Sequence, residues 1–362
     1  MRQKFIKYLC DPKTLKPLRL TKVLAQNGGQ ISAGVLEGSE WYPVIGGVPR
    51  LLSGALKINV LQAHQEFLER YRAALDPRIV KQWQKALRAP AITDPFLSHQ
   101  RRTAESFAYE WGEIYRESGH EKQNFFHFLS PFVGEADLGG KSVLDVGCGS
   151  GRFTKWAALS GAKVAIGSDL GETVEVAYQA TKALPNSCIV QADIYQMPFR
   201  ASFDLAFSIG VLHHLPRPQA GFSRLTRVLK SAGQLLIWVY NRRANNRAFY
   251  LYEPLRTLVR PLPKDLLYWL CYLPAGAVQL LNYLSVGLEK IGAANLARRI
   301  PFSYYARFPF NMKLNDAFDV LATPQSNYYY KEEIERWYQA SQLQRIRSFE
   351  HPEAGITAIG QR

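Results

Sequence analysis

Apolar runs alternate with amphipathic segments through the middle of the chain. The first run, residues 143–146, ends at a glycine-rich turn, and an amphipathic segment begins at Arg152. Further apolar runs follow at 163–169, 188–193, 203–208 and 234–240. Short apolar runs separated by helix-like segments predict parallel strands with crossover helices. We therefore predict an α/β fold with a doubly wound, mostly parallel, seven-stranded sheet.

The flanking regions have other patterns, which divide the chain into five parts. Residues 1–55 hold short apolar runs broken by glycine and proline, as in a small β unit. Residues 56–130 have a helical pattern and precede the core at 131–240. Residues 241–326 interrupt the alternation, which predicts a helical cap inserted after the fifth strand. Residues 327–362 predict a helix and a pair of strands that complete the core.

The cap contains an uncharged stretch at 266–288. Three interpretations compete: two cap helices broken at Pro274, a membrane-surface element within 256–288, or a membrane span. A span needs about 20 predominantly apolar residues, and Pro274 and the polar residues of the stretch count against it. We expect the cap helices. The membrane-surface interpretation uses Trp269, Tyr272, Arg256, Arg260 and Lys264.

Composition and charge narrow the class of protein. Hydrophobic residues make up 47% and charged residues 21% of the 362 positions, which excludes wholesale disorder. The net charge of +15 favours anionic partners or surfaces without identifying one. The four cysteines lie too far apart in sequence for a paired zinc motif or a disulfide framework, and the N-terminus shows no signal-peptide core. We expect a cytoplasmic protein, with membrane association left open.

The strongest chemical signal is the turn DVGCGSG at 145–151. Glycines let the backbone approach a ligand closely, and the turn lies where parallel sheets bind ligands. A dinucleotide fingerprint would need a small residue where Arg152 stands. The carboxylate of Asp145 would repel a pyrophosphate but would favour an ammonium or a sulfonium group.

Two more carboxylates end the next two strands. Asp169 stands where an acid accepts hydrogen bonds from a ribose diol, and Asp193 could accept from the exocyclic amine of a purine. With Asp145, they describe a nucleoside that carries a cationic amino-acid tail. We interpret this ligand as S-adenosylmethionine; the competing interpretations are a nicotinamide cofactor and a nucleotide fold that has lost its ligand.

Five segments together resemble class I S-adenosylmethionine-dependent methyltransferases, in particular the small-molecule, type 11 branch. They are VLDVGCGSGRF (143–153), IGSDL (166–170), QADIYQMPF (191–199), FDLAFSIGVLHHL (203–215) and LTRVLKSAGQLLIWVY (225–240). The resemblance implies that the turn glycines face the amino-acid part of the cofactor, that Asp169 binds the ribose, and that Asp193 and Ile194 hold adenine. The predicted cofactor contacts are Asp145, Gly147, Cys148, Gly149, Gly151, Asp169, Leu170, Asp193, Ile194 and Ser208.

Two histidines are the candidate catalytic residues. Methyl transfer needs mainly alignment, with a base only where the acceptor must lose a proton. His213 and His214 follow the fourth strand, so either could be that base, or both could simply pack in the family-typical segment. The aromatic segment 106–111 could form a lid over the cofactor or face the core.

The N-terminal 55 residues resemble a zinc-ribbon-like module that accompanies methyltransferases. Cys10 stands alone and Lys13 takes the place of its partner, so we predict no metal. The acceptor is predicted to be a small, lipophilic or glycosylated metabolite. The segment after the fourth strand lacks the tandem prolines of base-amine methyltransferases, which argues against nucleic acid. The alternatives are a cofactor-binding regulatory module without turnover and an RNA methyltransferase.

Overall fold

The computed structural model describes residues 1–115, 119–259, 261–351 and 355–362, without the side chains of 245–253, 304 and 307. Its strands are β1 (Arg19–Asn27), β2 (Gln30–Glu37), β3 (Trp41–Ile45), β4 (Val48–Leu51), β5 (Ser142–Val146), β6 (Val164–Asp169), β7 (Ser187–Ala192), β8 (Phe203–Ile209), β9 (Leu229–Tyr240), β10 (Gln344–Glu350) and β11 (Gly355–Gln361). Its helices are α1 (Gly54–Ala63), α2 (Gln65–Tyr71), α3 (Pro77–Leu87), α4 (Pro95–Tyr109), α5 (Glu121–Leu129), α6 (Arg152–Leu159), α7 (Thr173–Thr181), α8 (Pro218–Leu225), α9 (Arg242–Val259), α10 (Lys264–Lys290), α11 (Ala294–Ala297), α12 (Phe310–Ala322) and α13 (Lys331–Ala340).

The predicted doubly wound sheet is confirmed. The strands lie in the order β1-β2-β3-β4-β7-β6-β5-β8-β9-β11-β10. Strands β5 to β9 pair in parallel, because each is followed by a crossover segment, whereas β11 runs antiparallel between β9 and β10. The chain enters at central β5, extends to β6 and β7 on one side, and then returns to β8 and β9 on the other. This reversal places a topological switch point beside β5.

The N-terminal strands continue the same sheet. Strands β1 to β4 form an antiparallel meander, and β4 pairs in parallel with β7, Arg50 opposite Gln191. The Arg50 side chain is buried, and its Nη1 donates to Gln191 Oε1 at 3.0 Å and lies 3.3 Å from Glu172 Oε2. A guanidinium buried with carboxylate and amide acceptors ties the β unit to β7 and α7. The first 55 residues are therefore joined to the sheet through both backbone and side chains.

The C-terminal helix and strand pair also form as predicted. Helix α13 packs Ile334 and Tyr338 against the sheet, and the Tyr338 hydroxyl donates to the backbone oxygen of Ala358 at 2.7 Å. The apolar residues of α13 recur at helical spacing, so one face is buried and the other carries its charges. The predicted connection at 350–354 lies partly outside the described residues, since 352–354 are not described.

The predicted break at Pro274 is wrong. A single helix, α10, runs from Lys264 to Lys290 through Pro274. A proline removes one hydrogen bond from a helix and often bends it. On either side of Pro274 in sequence, the buried residues Cys271 and Ala275 pack in one cluster with residues of α12 and hold the helix in place. Among the described residues, no helix combines the length and the apolar character needed to cross a bilayer. Arg260, which the membrane-surface interpretation used, lies outside the described residues.

Candidate active site

A cleft of about 980 Å³ opens at the carboxyl ends of the parallel strands. Its walls come from the β5–α6 turn, the ends of β6 and β7, the segment after β8, and α4. Open α/β sheets bind ligands at this edge, next to the switch point. The predicted site residues that line the cleft are Gly147, Cys148, Gly149, Asp169, Leu170, Asp193, Ile194 and His214.

The glycine-rich turn has a backbone that only glycine adopts easily. Gly147 has a φ of 77°, and a Cβ atom there would lie 2.2 Å from the Val211 side chain. Its N–H donates to the backbone oxygen of Ser168 at 2.7 Å, which ties the turn to the end of β6. A Cβ atom on Gly149 would come within 3.2 Å of the Trp111 indole nitrogen. The turn therefore leaves open backbone, rather than side chains, on the floor of the cleft.

Asp169 is held at the end of β6 by two backbone groups. Its Oδ2 accepts from the Gly149 N–H at 2.9 Å, and its Oδ1 accepts from the Gly171 N–H at 3.0 Å. Burial raises the pKa of this carboxyl, and the backbone hydrogen bonds oppose that rise. An ionised carboxylate has about four acceptor positions, which is more than these two bonds occupy. The fixed orientation and the spare lone pairs suit a ligand with two hydroxyl groups.

Asp193 ends β7 on the same side of the sheet. Its Oδ1 accepts from Gln100 Nε2 at 3.1 Å and from the Tyr195 N–H at 3.0 Å. Burial raises the pKa of Asp193, and these two hydrogen bonds oppose that rise. Both hydrogen bonds from described residues fall on Oδ1. The second oxygen, Oδ2, is therefore the acceptor that a purine amine could use.

Four predicted site residues do not line the cleft, and we correct their placement. Asp145 is buried, and its Oδ2 accepts from the Thr154 hydroxyl at 2.7 Å. Burial raises the pKa of Asp145 to about 7. The Ser208 hydroxyl donates to the backbone oxygen of Val146 at 2.9 Å. The remaining two, Gly151 and His213, are also not among the lining residues.

Three of these residues, Gly151, Asp145 and Ser208, have contacts outside the cleft. Gly151 precedes α6 with a φ of 77°, and a Cβ atom there would lie 2.8 Å from Ala177 of α7. Glycine at this position therefore lets α6 approach α7 closely. Asp145 and Ser208 satisfy neighbouring polar groups beneath the turn. Strand direction alone cannot reveal this, because alternate residues of a strand point to opposite faces.

The two histidines have different surroundings. His214 lines the cleft, and its Nδ1 lies 2.9 Å from the backbone oxygen of Gln325. A carbonyl oxygen only accepts, so Nδ1 carries the proton and Nε2 holds the lone pair. His213 is fully buried with its ring 3.9 Å from that of Tyr240, and neither ring nitrogen has a hydrogen-bond partner among the described residues. Burial lowers the pKa of both imidazoles, so both are neutral at pH 7.

Helix α4 supplies a wall that strand patterns did not reveal. Gln100 and Phe107 of α4, and Trp111 of the π-helical turn after it, all line the cleft. The Arg152 guanidinium lies over the Trp111 ring at 4.6 Å and also lines the cleft. The sequence leaves open whether the aromatic segment 106–111 forms a lid over the cofactor or faces the core, and in the structure Phe107 and Trp111 line the cleft. Gln100 had no signal of its own, since it is one glutamine in an amphipathic helix.

A buried acidic group adjoins Arg152. Glu110 accepts from Asn315 Nδ2 at 2.8 Å, and burial raises its pKa well above the ordinary value. Burial likewise raises the pKa of Asp316 to about 6, and the Arg152 charge opposes both shifts. The Tyr240 hydroxyl donates to Asp319 Oδ2 at 3.2 Å. The cap thus contributes carboxyl groups beside the cleft, which the sequence pattern did not indicate.

The fold and the cleft together are those of a class I methyltransferase domain. Residues 144–237 match the family model of the methyltransferase domain, which is about a quarter of the chain. This stretch contains the glycine-rich turn, Asp169, Asp193 and both histidines. The chain therefore carries an S-adenosylmethionine-dependent methyltransferase domain, as predicted, and its cofactor is S-adenosylmethionine.

Curated proteins and solved structures are also similar to this chain. A tRNA U34 carboxymethyltransferase of Ruthia magnifica is 32% identical over 133 residues, 36% of this chain and 41% of that protein. One from Idiomarina loihiensis is 37% identical over 108 residues, 28% of this chain and 33% of that protein. A solved S-adenosylmethionine-dependent methyltransferase of Mesorhizobium loti is 30% identical. The match covers 31% of this chain and 51% of that protein, with a TM-score of 0.28. The chain thus spans less than half the length of these curated relatives.

These relatives contradict the predicted acceptor. We predicted a small lipophilic or glycosylated metabolite and argued against nucleic acid, whereas the curated relatives are named for tRNA modification. The prediction failed because it relied on a missing motif. Tandem prolines after the fourth strand are typical of enzymes that methylate exocyclic base amines, and their absence says nothing about other positions of a nucleotide.

Proposed function

We propose that the protein transfers a methyl or carboxymethyl group from an S-adenosylmethionine-type donor to tRNA. The observation that carries the proposal is the 32–37% identity to tRNA U34 carboxymethyltransferases. The net charge of +15 supports it, because Lys and Arg side chains bind phosphates without regard to sequence. The activity of the whole chain remains a proposal, since the relatives match only part of it.

The residues of the cleft fit the cofactor. The spare lone pairs of Asp169 would accept from the ribose hydroxyls, and Oδ2 of Asp193 would accept from the adenine amine. Arg152 would pair with the carboxylate of the amino-acid part. When bound, the cofactor supplies an electrophilic carbon on a sulfonium group. The task of the protein is then mainly to hold that carbon in line with the acceptor.

His214 would accept a proton from the acceptor. Its Nδ1 faces a carbonyl oxygen, which orients the ring and leaves the Nε2 lone pair unprotonated. Burial lowers its pKa, so the base form is already present at neutral pH. A neutral base at the cleft is useful only for an acceptor that loses a proton, such as a hydroxyl or a ring N–H.

The test uses tRNA that lacks this modification. Total tRNA from cells in which the gene is deleted is incubated with the purified protein and S-adenosylmethionine or its carboxylated form, and digested nucleosides are compared by mass spectrometry. We expect one nucleoside to gain the mass of a methyl or carboxymethyl group. The controls are tRNA from wild-type cells, which should already be modified, and the Asp169→Ala protein, which should be less active at donor concentrations near the wild-type dissociation constant.

A second measurement, of cofactor binding, distinguishes the transfer proposal from the hypothesis of a regulatory module without turnover. If calorimetry shows tight cofactor binding but no tRNA nucleoside changes with either donor, the transfer proposal is wrong. That result would favour a cofactor-binding regulatory module without turnover. If the cofactor does not bind at all, the assignments of Asp169 and Asp193 fail as well.

A further inference from the structure

Helix α10 turns its largest apolar side chains toward solvent. Trp269 is 66% exposed, Leu273 is 73% exposed and Leu280 is 70% exposed. Their spacing of four and seven residues places them on one side of the helix. Leu266 and Leu284 extend the same side at both ends and are also exposed. We call these five residues the outer face of α10.

Two uncharged polar side chains of α10 point the other way. Asn282 and Ser285 are each 2% exposed. Asn282 Nδ2 donates to the backbone oxygen of Phe302 at 2.8 Å, and the Ser285 hydroxyl donates to the backbone oxygen of Ala297 at 3.2 Å. A helix that faces water carries its polar residues outside. Here two polar residues are inside and donate to backbone oxygens, while large apolar residues are outside, so the outer face suits an apolar surrounding.

The outer face is also long and carries aromatic rings with polar tips. The 27 residues of α10 extend over about 40 Å at 1.5 Å per residue. The rings of Trp269 and Tyr272 stack at 5.3 Å, and Tyr283 is exposed on the same side. Such side chains have an apolar body and one polar group, which suits the boundary between water and hydrocarbon. Contiguous exposed apolar patches with a polar rim mark surfaces that contact a protein or a membrane.

Cations cluster at the C-terminal end of this helix. Lys290 ends α10, and Arg298 and Arg299 follow α11, which packs against α10 near Ser285. All three side chains are exposed, and within the described part of the chain none of them forms an ion pair. Three cations beside an apolar helix face complement an anionic lipid surface.

Charge also distinguishes a lipid surface from two other candidates for contacting the outer face, a second copy of the chain and an RNA. A second copy of the chain would bring a second net charge of +15 against the first. An RNA would need phosphate-binding cations along the contact, whereas 266–288 contains no charged residue. Only a surface that is apolar beneath an anionic layer matches both the outer face and its flanking cations.

We propose that α10 lies in the interface of an anionic bilayer with its outer face buried among the acyl chains. The helix lies on the membrane rather than across it, in agreement with the absence of a membrane-spanning helix among the described residues. Lys290, Arg298 and Arg299 then contact the headgroups. This proposal is independent of the tRNA proposal, because it uses a surface outside the cleft.

The test is cosedimentation of the full-length protein with vesicles. Vesicles of phosphatidylcholine with phosphatidylglycerol are compared with vesicles of phosphatidylcholine alone. We expect binding to the anionic vesicles and loss of that binding in the double variant Leu273→Glu, Leu280→Glu. The matched control is Leu159→Glu on α6, which is also an exposed leucine but lies outside the outer face, and it should bind like the wild type.

A second variant tests the cations separately. Replacing Lys290, Arg298 and Arg299 by Gln should weaken binding to anionic vesicles on the order of 100-fold. Retained cofactor affinity shows that each variant is folded. The proposal is overturned if the wild-type protein binds no vesicles. It is also overturned if sedimentation velocity shows a dimer that the double leucine variant abolishes, or if tRNA binding, rather than vesicle binding, is lost in that variant.

Discussion

Replacing Asp169 by alanine tests the cofactor site most directly. In the wild type, this carboxylate joins three parts of the cleft, because it accepts from the N–H groups of Gly149 and Gly171 and keeps lone pairs for the ribose. Alanine removes all of these acceptors at once. Both N–H groups lose their partner, and the ribose hydroxyls would enter the cleft without an acceptor.

The expected loss follows from the cost of unpaired polar groups. Leaving a buried donor unsatisfied costs about 1–3 kcal/mol, and each 1.4 kcal/mol changes a dissociation constant about tenfold. We expect the dissociation constant for S-adenosylmethionine to rise by roughly 5-fold to 150-fold in Asp169→Ala. Part of this cost is local, because the Gly149 N–H of the turn and the Gly171 N–H after β6 each lose a hydrogen bond.

The assay is isothermal titration calorimetry with S-adenosylmethionine. The matched control is Asp204→Ala, since Asp204 lies at the start of β8, where it accepts from the Ser142 N–H and pairs with Lys230. That variant loses similar interactions at the opposite end of the sheet, so its cofactor affinity should stay within about twofold of the wild type. Unchanged affinity in Asp169→Ala would refute the assignment of the ribose to this carboxylate.

Four further variants address the turn, the histidines and the buried acid. Gly147→Ala should lower the free energy of unfolding by about 1–3 kcal/mol, because its Cβ would collide with Val211 at a positive φ; thermal denaturation measures this, and an unchanged melting temperature contradicts it. His214→Ala should abolish most turnover on tRNA while leaving cofactor affinity nearly intact. The wild-type rate should persist below pH ~6.5, because burial lowers the pKa of the imidazole. Equal turnover in the wild type and the variant would refute the assignment of His214 as the base. His213→Ala serves as the comparison, since His213 does not line the cleft, and its loss should act through stability. Burial raises the pKa of Asp145 from 3.8 to about 7, so between these values the folded state binds more protons than the unfolded state and stability falls as pH rises. Asp145→Asn should remove this dependence of stability on pH. The free energy of unfolding of the variant relative to the wild type should therefore be higher at pH 8 than at pH 5. Chemical denaturation measures both proteins, and parallel pH profiles would contradict the burial argument.

The parts that the sequence could predict are those set by local pattern. Alternating apolar runs and helices imply a parallel sheet, and the sheet brings strand ends such as Asp169 and Asp193 to one edge. The spacing between them in sequence is irrelevant, because the topology alone makes them neighbours.

The parts that could not be predicted depend on contacts distant in sequence. Gln100 meets Asp193 across 93 positions, and nothing in an isolated helix indicates such a partner. Asp145 looked like a cleft residue, but the Thr154 hydroxyl holds it below the turn. The continuity of α10 through Pro274 depends on packing against its neighbours, which overrides the local preference of proline.

The parallel pairing of β4 with β7 has a consequence for dissecting the chain. If residues 1–55 were removed, the N–H and C=O groups of β7 along that edge would be left without partners. Arg50 would also vanish from between Glu172 and Gln191, which would leave a carboxylate without its cation. An uncovered central strand invites pairing with another chain, so the shortened protein should self-associate and precipitate. Beside β7, which ends at Asp193, the N-terminal segment therefore acts as the cover of an otherwise open sheet edge.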